Sequence, residues 1–396
     1  MHMDLRRTLT VIFILLAGFY AGGQLGKIAP VVLLLREQHG YSLTYLGWLT
    51  SLIGLFVAVA ALPVAFAIRH YGVRLSLNAG ALLLFVGALF LWPTTDQFLA
   101  LFARGIEAVG YVLVVIAAPA VLNDIAPERL KAPALAIWGG FVPIGYALAN
   151  YQAAAVLPGF GLSGFYLSMA LGYGLFGVLS GVLLSTLPRA QPIAPAAETT
   201  QARGGLPARA YWLAGAFGFY VIASLPLFTF LPTYIGLLDD RLALSAAAIA
   251  LFVPVGNIGT GFLVVGRLRS HTASLTMFAL VALALGTAAI FLLDAPSVKL
   301  AGAILFSLAS GVVGSAVFAT LPAIVRDGQS ASIAMGAIAQ TGGVGTVIGP
   351  PIAGFVIEAF GWPGLSIYVV IVCLLGVVCA WKAVERRHER PVGSNS

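Results

Sequence analysis

The chain has 396 residues, of which 60% are hydrophobic and only 9% charged, and its mean hydropathy is +1.00. A soluble domain is about 25% charged, so the composition excludes a water-soluble fold and defines an integral membrane protein. The formal charge of +7 would fit a nucleic-acid partner only if the basic residues gathered on one exposed surface, and they are instead spread over loops on one side of the apolar segments.

In chain order, Arg6-Arg7 is followed by a largely apolar stretch from about Leu9 to Leu35. That stretch is too long for a signal-peptide core and no small-x-small site ends it, so a retained first span is expected. At about 20 residues per crossing, twelve apolar stretches follow one another. They centre near Gly22, Val57, Phe85, Val112, Ala147, Tyr173, Val221, Val255, Leu283, Ser310, Thr346 and Val372, and are numbered spans 1 to 12. Spans 11 and 12 are parted only by Phe360-Gly361-Trp362-Pro363-Gly364, a tight turn. The longest polar interruption, Pro188 to Pro207, is rich in Pro, Ala, Thr, Gln and Gly and reads as a flexible linker. The expected organisation is a six-helix bundle over 1–187, a cytoplasmic linker over 188–208, and a second six-helix bundle with a short basic tail over 209–396.

The basic residues set the orientation. With the amino terminus inside, sixteen of the 21 Lys and Arg fall in inner segments, among them Arg6, Arg7, Arg69, Arg74, Arg129 and Arg326. The outer loops hold only Arg36, Arg241 and Lys299. Both termini are therefore expected in the cytoplasm, the chain being read as a multi-pass protein of a bacterial inner membrane. The asymmetry accounts for the net charge without nucleic acid. Cys373 and Cys379, the only cysteines, lie in the last span and read as small hydrophobes, with no metal site implied.

The two halves repeat. Pro119-Ala120-Val121-Leu122-Asn123-Asp124 at the end of span 4 matches Pro322-Ala323-Ile324-Val325-Arg326-Asp327 at the end of span 10, an offset of 203 residues. At that offset Gly139-Gly140 meets Gly342-Gly343 and Ser42 meets Ser245, while Pro30 meets Pro232 one residue off. Six spans per unit is even, so both units enter the membrane in one direction, giving a parallel pseudo-two-fold repeat with a site expected near midplane between the halves.

Span 4 carries Arg104, Glu107 and Tyr111 on one helical face. Each charge at bilayer depth costs roughly 2.5–3.5 kcal/mol on insertion scales. Span 1 carries Tyr20, Gly23, Gln24 and Lys27 as a polar stripe. Counted from Arg36 and Asp96 at the outer boundary, Lys27 and Arg104 lie roughly 12–13 Å deep and Glu107 roughly 16 Å, so the three charges share a level. Two readings stay open for each: an Arg–Glu pair that only neutralises itself or a polar station on a path, and a Lys27 that snorkels or one that faces a ligand.

Several of these stretches resemble the major facilitator superfamily over the whole chain. Arg104, Glu107 and Gly110 are similar to its span-4 signature. Gly140-Phe141-Val142-Pro143-Ile144-Gly145, and Gly345 to Gly354 with Gly349 and Pro350 inside it, resemble its glycine-proline signatures of spans 5 and 11. The 2–3 loop, Ile68-Arg69-His70-Tyr71-Gly72-Val73-Arg74, has Arg69 where the family has aspartate. Ile28-Ala29-Pro30 with Leu46 to Thr50, Arg69 to Gly72, and Gln340 to Gly354 look most like the cyanate/nitroimidazole permease group.

The resemblance implies an all-α membrane fold of twelve transmembrane helices in two bundles, with spans 1, 4, 7 and 10 lining a central cavity. It implies secondary active transport by rocking of the halves. Expected substrate contacts are Lys27 and Arg104 as positive partners with Tyr20, Gln24 and Tyr111 beside them, and Asn257 and Gln340 from the second half, these last two read as interhelical glue in the first instance. Glu107 is the candidate proton-coupling carboxylate, with Arg104 opposing its protonation. Gly140, Pro143, Gly145, Gly349, Pro350 and Gly354 are expected to give smooth, bent contact helices, and Asp124, Arg129, Arg326 and Asp327 to form inner gate pairs. Two cations and one anion suit a small anionic solute, and a mostly apolar cavity suits efflux of an amphipathic drug or metabolite instead. No Gly-Lys-Ser/Thr phosphate loop occurs, the five histidines fall in loops or tails, and no paired carboxylates occur at useful spacing. An ATP-driven pump, an enzyme and a cofactor are not expected, and the working unit is read as a monomer.

Overall fold

Proline and glycine decide where these helices break. The computed structural model describes residues 2–91, 96–127, 130, 134, 137–138, 141–186, 207–238, 249, 251–265, 271–324 and 328–384. Among them, nine helices are long and apolar enough to cross a membrane. Two of the nine are double. Phe141–Ser185 turns at Gly161 (φ 61°, ψ −164°) and Gly328–Val384 turns at Gly361 (φ 71°, ψ −174°). Only glycine adopts that backbone freely, and the two turns occupy matching places in the repeat, between spans 5 and 6 and between spans 11 and 12. Each double helix holds two spans, which makes eleven. Phe252–Val265, bordered by undescribed residues on its carboxy-terminal side, is span 8 and completes twelve.

The remaining spans are His2–Gly26 (span 1), Leu43–Tyr71 (2), Val73–Leu91 (3), Gln97–Ile125 (4), Ala208–Leu238 (7), Thr272–Leu292 (9) and Pro296–Ile324 (10). Spans 1 to 6 pack on one another, as do spans 7 to 12, so the molecule is two six-helix bundles. Of the expected linker, residues 188–206 lie outside the described residues.

Span 1 is shorter than its apolar run. The helix stops at Gly26, a 3-10 turn covers Ala29–Val31, and a second helix runs Val32–His39. Pro30 has no N–H to donate to the carbonyl four residues back, so the regular ladder cannot pass through it. The break leaves Lys27 on the first residue after the helix.

Outward-facing large apolar residues such as Val59, Phe98, Phe160 and Phe278, each more than 70% exposed, would be a liability in water and match hydrocarbon in a bilayer. Inside, the first half and the end of the second half away from the termini share one apolar core. The terminal-face end of the second half has its own, built on Leu213, Leu280, Val317, Leu321 and Ile338.

The halves meet along an antiparallel seam between spans 2 and 11. A Cβ on Gly47 would stand 2.6 Å from the Pro350 carbonyl oxygen, one on Gly54 would stand 2.2 Å from the Thr346 methyl, and one on Gly354 would stand 2.5 Å from the Leu43 oxygen. One on Gly343 would stand 3.3 Å from the Ala58 Cβ. Small residues let the two backbones touch. Gly47→Leu is therefore expected to hold the seam apart and to lower stability by about 1–3 kcal/mol, visible as an earlier thermal unfolding transition in detergent.

Candidate functional site

Asp96 fixes the start of span 4 by accepting the Leu99 N–H at 2.7 Å, and the Tyr45 hydroxyl donates to the Gln97 carbonyl at 2.6 Å. This anchoring brings Arg104 and Glu107 to the level of the break in span 1. Arg104, Glu107, Lys27 and Gln24 are all 0% exposed.

Glu107 is held from two sides. Its Oε1 accepts from Lys27 Nζ, and its Oε2 accepts from Arg104 Nη1 at 2.8 Å. The rest of the guanidinium satisfies backbone. Nε donates to the Leu49 carbonyl of span 2 at 2.8 Å, and Nη2 to the Gln24 carbonyl at 2.9 Å. Gln24 lies in the last turn of span 1, where carbonyls lack helical partners and a cation meets the negative end of the helix dipole. Arg104 thus closes the end of one helix while tying three together. Nη1 also lies 3.5 Å from Gln24 Oε1, a long contact that adds little.

Two residues outside the sequence reading complete the pocket. Gly87 of span 3 makes room for Glu107, since a Cβ there would stand 2.4 Å from its Cγ. The Tyr166 ring of span 6 lies beneath the Lys27 ammonium, 5.7 Å from centroid to Nζ, within cation–π range. No sequence signal marks either, because both depend on which neighbouring helix the charged face meets. Every partner of the triad named here comes from the first half.

The other expected contacts are dispersed. Tyr20 packs edge-on against Tyr173, whose hydroxyl donates to the Tyr20 carbonyl at 2.9 Å, and against Phe176. Tyr111 is buried one turn along span 4, its ring 6.3 Å from that of Phe141. Asn257 accepts the Ser315 hydroxyl at 2.9 Å and joins spans 8 and 10. Gln340 is exposed. Pro143 lies in the first described turn of span 5, and Gly145 backs onto Gly22 and Gly23 of span 1. Gly349 backs onto Ile222 of span 7, and Pro350 and Gly354 lie in the seam. Gly140, Arg129, Arg326 and Asp327 fall outside the described residues, as does the side chain of Asp124.

The positions that the repeat pairs with Arg104 and Glu107 are Ser307 and Ser310, both 0% exposed. The Ser307 hydroxyl finds no hydrogen-bond partner among the described residues, and the Ser310 hydroxyl lies within reach of Tyr220. Across the midplane, the Tyr146 ring of span 5 meets Phe228 of span 7 at 5.8 Å, and Phe228 meets Phe306 of span 10 at 5.2 Å. An aromatic string therefore joins the halves beside a charged cluster confined to one of them.

Two six-helix bundles, one of them holding a buried ion cluster, are the architecture of a polytopic membrane protein. The chain belongs to the Major Facilitator Superfamily, whose family model matches residues 12–343. No curated protein matches the sequence. Among solved structures, a bacterial homolog of the human lysosomal transporter Spinster, in an inward-facing and unoccupied conformation, is similar with a TM-score of 0.78 at 16% identity, covering 96% of each chain. The same homolog, inward-facing and occupied, gives 0.77 at 16% identity, covering 95% of this chain and 96% of that one. Membership makes this a multi-pass membrane protein that moves a small molecule by alternating access, and not an enzyme.

Proposed function

We propose that this protein carries a small anion together with a proton, working as a monomer in a bacterial inner membrane with both termini in the cytoplasm. The observation that carries the reading is the triad: two cations share one carboxylate, with none of the three exposed. Ionised, the cluster has one positive charge in excess. A proton on Glu107 removes the shared counter-ion and leaves two cations facing each other, so an anion entering at that moment restores the balance. Proton and anion then travel as a pair. The likeness of Ile28 to Pro30, Leu46 to Thr50 and Gln340 to Gly354 to cyanate/nitroimidazole permeases supports a small substrate, and the inner-loop arginines support the orientation.

The test is anion uptake into proteoliposomes under an imposed proton gradient, followed by binding to variants. Lys27→Ala and Arg104→Ala are each expected to weaken anion binding at least about tenfold, as losing one partner of a buried charge pair implies. Unchanged affinity in both would end the anion reading.

The aromatic string Tyr146–Phe228–Phe306 favours a second reading, export of an amphipathic solute that lies against those rings. A thermal-shift panel separates the two, because a ligand at about 100 times its Kd stabilises by about 2.7 kcal/mol. Small anions shift the transition under the first reading and amphiphiles under the second.

A further inference from the structure

The seam between the halves ends in a bond of a different kind. Glu358, near the end of span 11, reaches over to the first residues of span 2. Its Oε1 accepts the Leu43 N–H at 2.6 Å, and its Oε2 accepts the Thr44 hydroxyl at 2.8 Å. Span 2 has its own cap, Ser42, whose Oγ accepts the Tyr45 N–H at 3.1 Å. Ser42 leaves the Leu43 N–H free, and the carboxylate from the other half takes it. The first N–H groups of a helix have no partner within it, and a negative charge at that end is favourable. Two donors on one half and one acceptor on the other make this a contact that rocking at this face must break.

From this geometry we infer that Glu358 is a latch that holds the halves closed on the face opposite the chain termini. The glycine seam supplies contact that slides and re-forms. The latch supplies two directional bonds to one carboxylate, lost when this face opens, so it biases the equilibrium between the two access states. Its position explains why a carboxylate stands here. Gly354, one turn earlier on span 11, packs on the Leu43 carbonyl, which brings the next turn level with the Leu43 N–H. The inference concerns regulation of the conformational cycle and goes beyond the choice of substrate.

Distance measurement between spin labels tests it without any flux assay, so its outcome is independent of the transport reading. Labels at Phe98→Cys and Leu293→Cys, both exposed at that face on opposite halves, would be placed in a full chain whose buried Cys373 and Cys379 are replaced by Ala. Glu358→Ala is expected to raise the ratio of long to short distances about tenfold, the size expected for losing hydrogen bonds to a charged group. Thr44→Val is expected to give part of that shift and to add nothing on the Glu358→Ala background, as coupled partners do. Glu37→Ala, which removes another exposed acid, is expected to leave the distribution unchanged. An unaltered distribution in monodisperse Glu358→Ala and Thr44→Val protein would overturn the latch. So would an equal shift in Glu37→Ala, since that would reduce the effect to general surface charge.

Discussion

Glu107→Gln is expected to abolish uptake driven by a proton gradient while exchange of substrate for substrate continues. The amide keeps the volume that Gly87 leaves open but offers one acceptor where the carboxylate offered two, to Lys27 and to Arg104. Its NH2 must then face a cation. Without a counter-ion the two buried cations repel, and breaking a buried pair costs about 3–5 kcal/mol. An anionic ligand replaces the missing charge. The variant is therefore expected to unfold earlier than wild type without ligand and to gain more stability than wild type from a bound small anion. Proteoliposome flux and thermal unfolding read the two halves of the prediction. Driven uptake that persists would remove Glu107 from coupling, and an equal ligand shift in both proteins would remove the charge-replacement argument.

Arg104 carries the second large effect. Its guanidinium reaches the Leu49 carbonyl, the Gln24 carbonyl and Glu107 Oε2, all between 2.8 and 2.9 Å. Arg104→Ala leaves a buried carboxylate with Lys27 alone and strips two carbonyls of a charged donor, for an expected loss of about 3–5 kcal/mol. Arg104→Lys restores the charge, but one ammonium cannot span three helices as the planar fork does. Each carbonyl left bare costs about 1–3 kcal/mol. The expected order of unfolding temperature in detergent is wild type, then Arg104→Lys, then Arg104→Ala. A lysine variant as stable as wild type would show that the fork's backbone bonds contribute little.

Much of this was legible in the sequence, and the failures have physical causes. Hydropathy located the spans because each crossing needs a fixed length of apolar chain, and the Phe360–Gly364 turn was visible because nothing else could join two antiparallel spans so closely. The shared depth of Lys27, Arg104 and Glu107 followed from counting residues along helices. Periodicity says which residues share a face, but not which neighbour that face meets, so Gly87 and Tyr166 gave no sign. The break at Gly26 was missed because Pro30 was weighed as a mark of the repeat and of a family resemblance, although its missing N–H also ends a helical ladder. Glu358 went unnoticed for a related reason: its partner, a backbone N–H 315 residues away, has no sequence signature.

The confinement of the ion cluster to one bundle has a consequence for how energy would pass between proton and cargo in the proposed cycle. Tilting the lobes against each other stretches none of the bonds that hold Lys27, Arg104 and Glu107, so mechanical motion and chemistry are insulated from one another like a battery sealed in one arm of a hinge. Whatever tells the hinge that the battery has changed charge must travel as a field, through the buried hydroxyls and rings of the opposite arm.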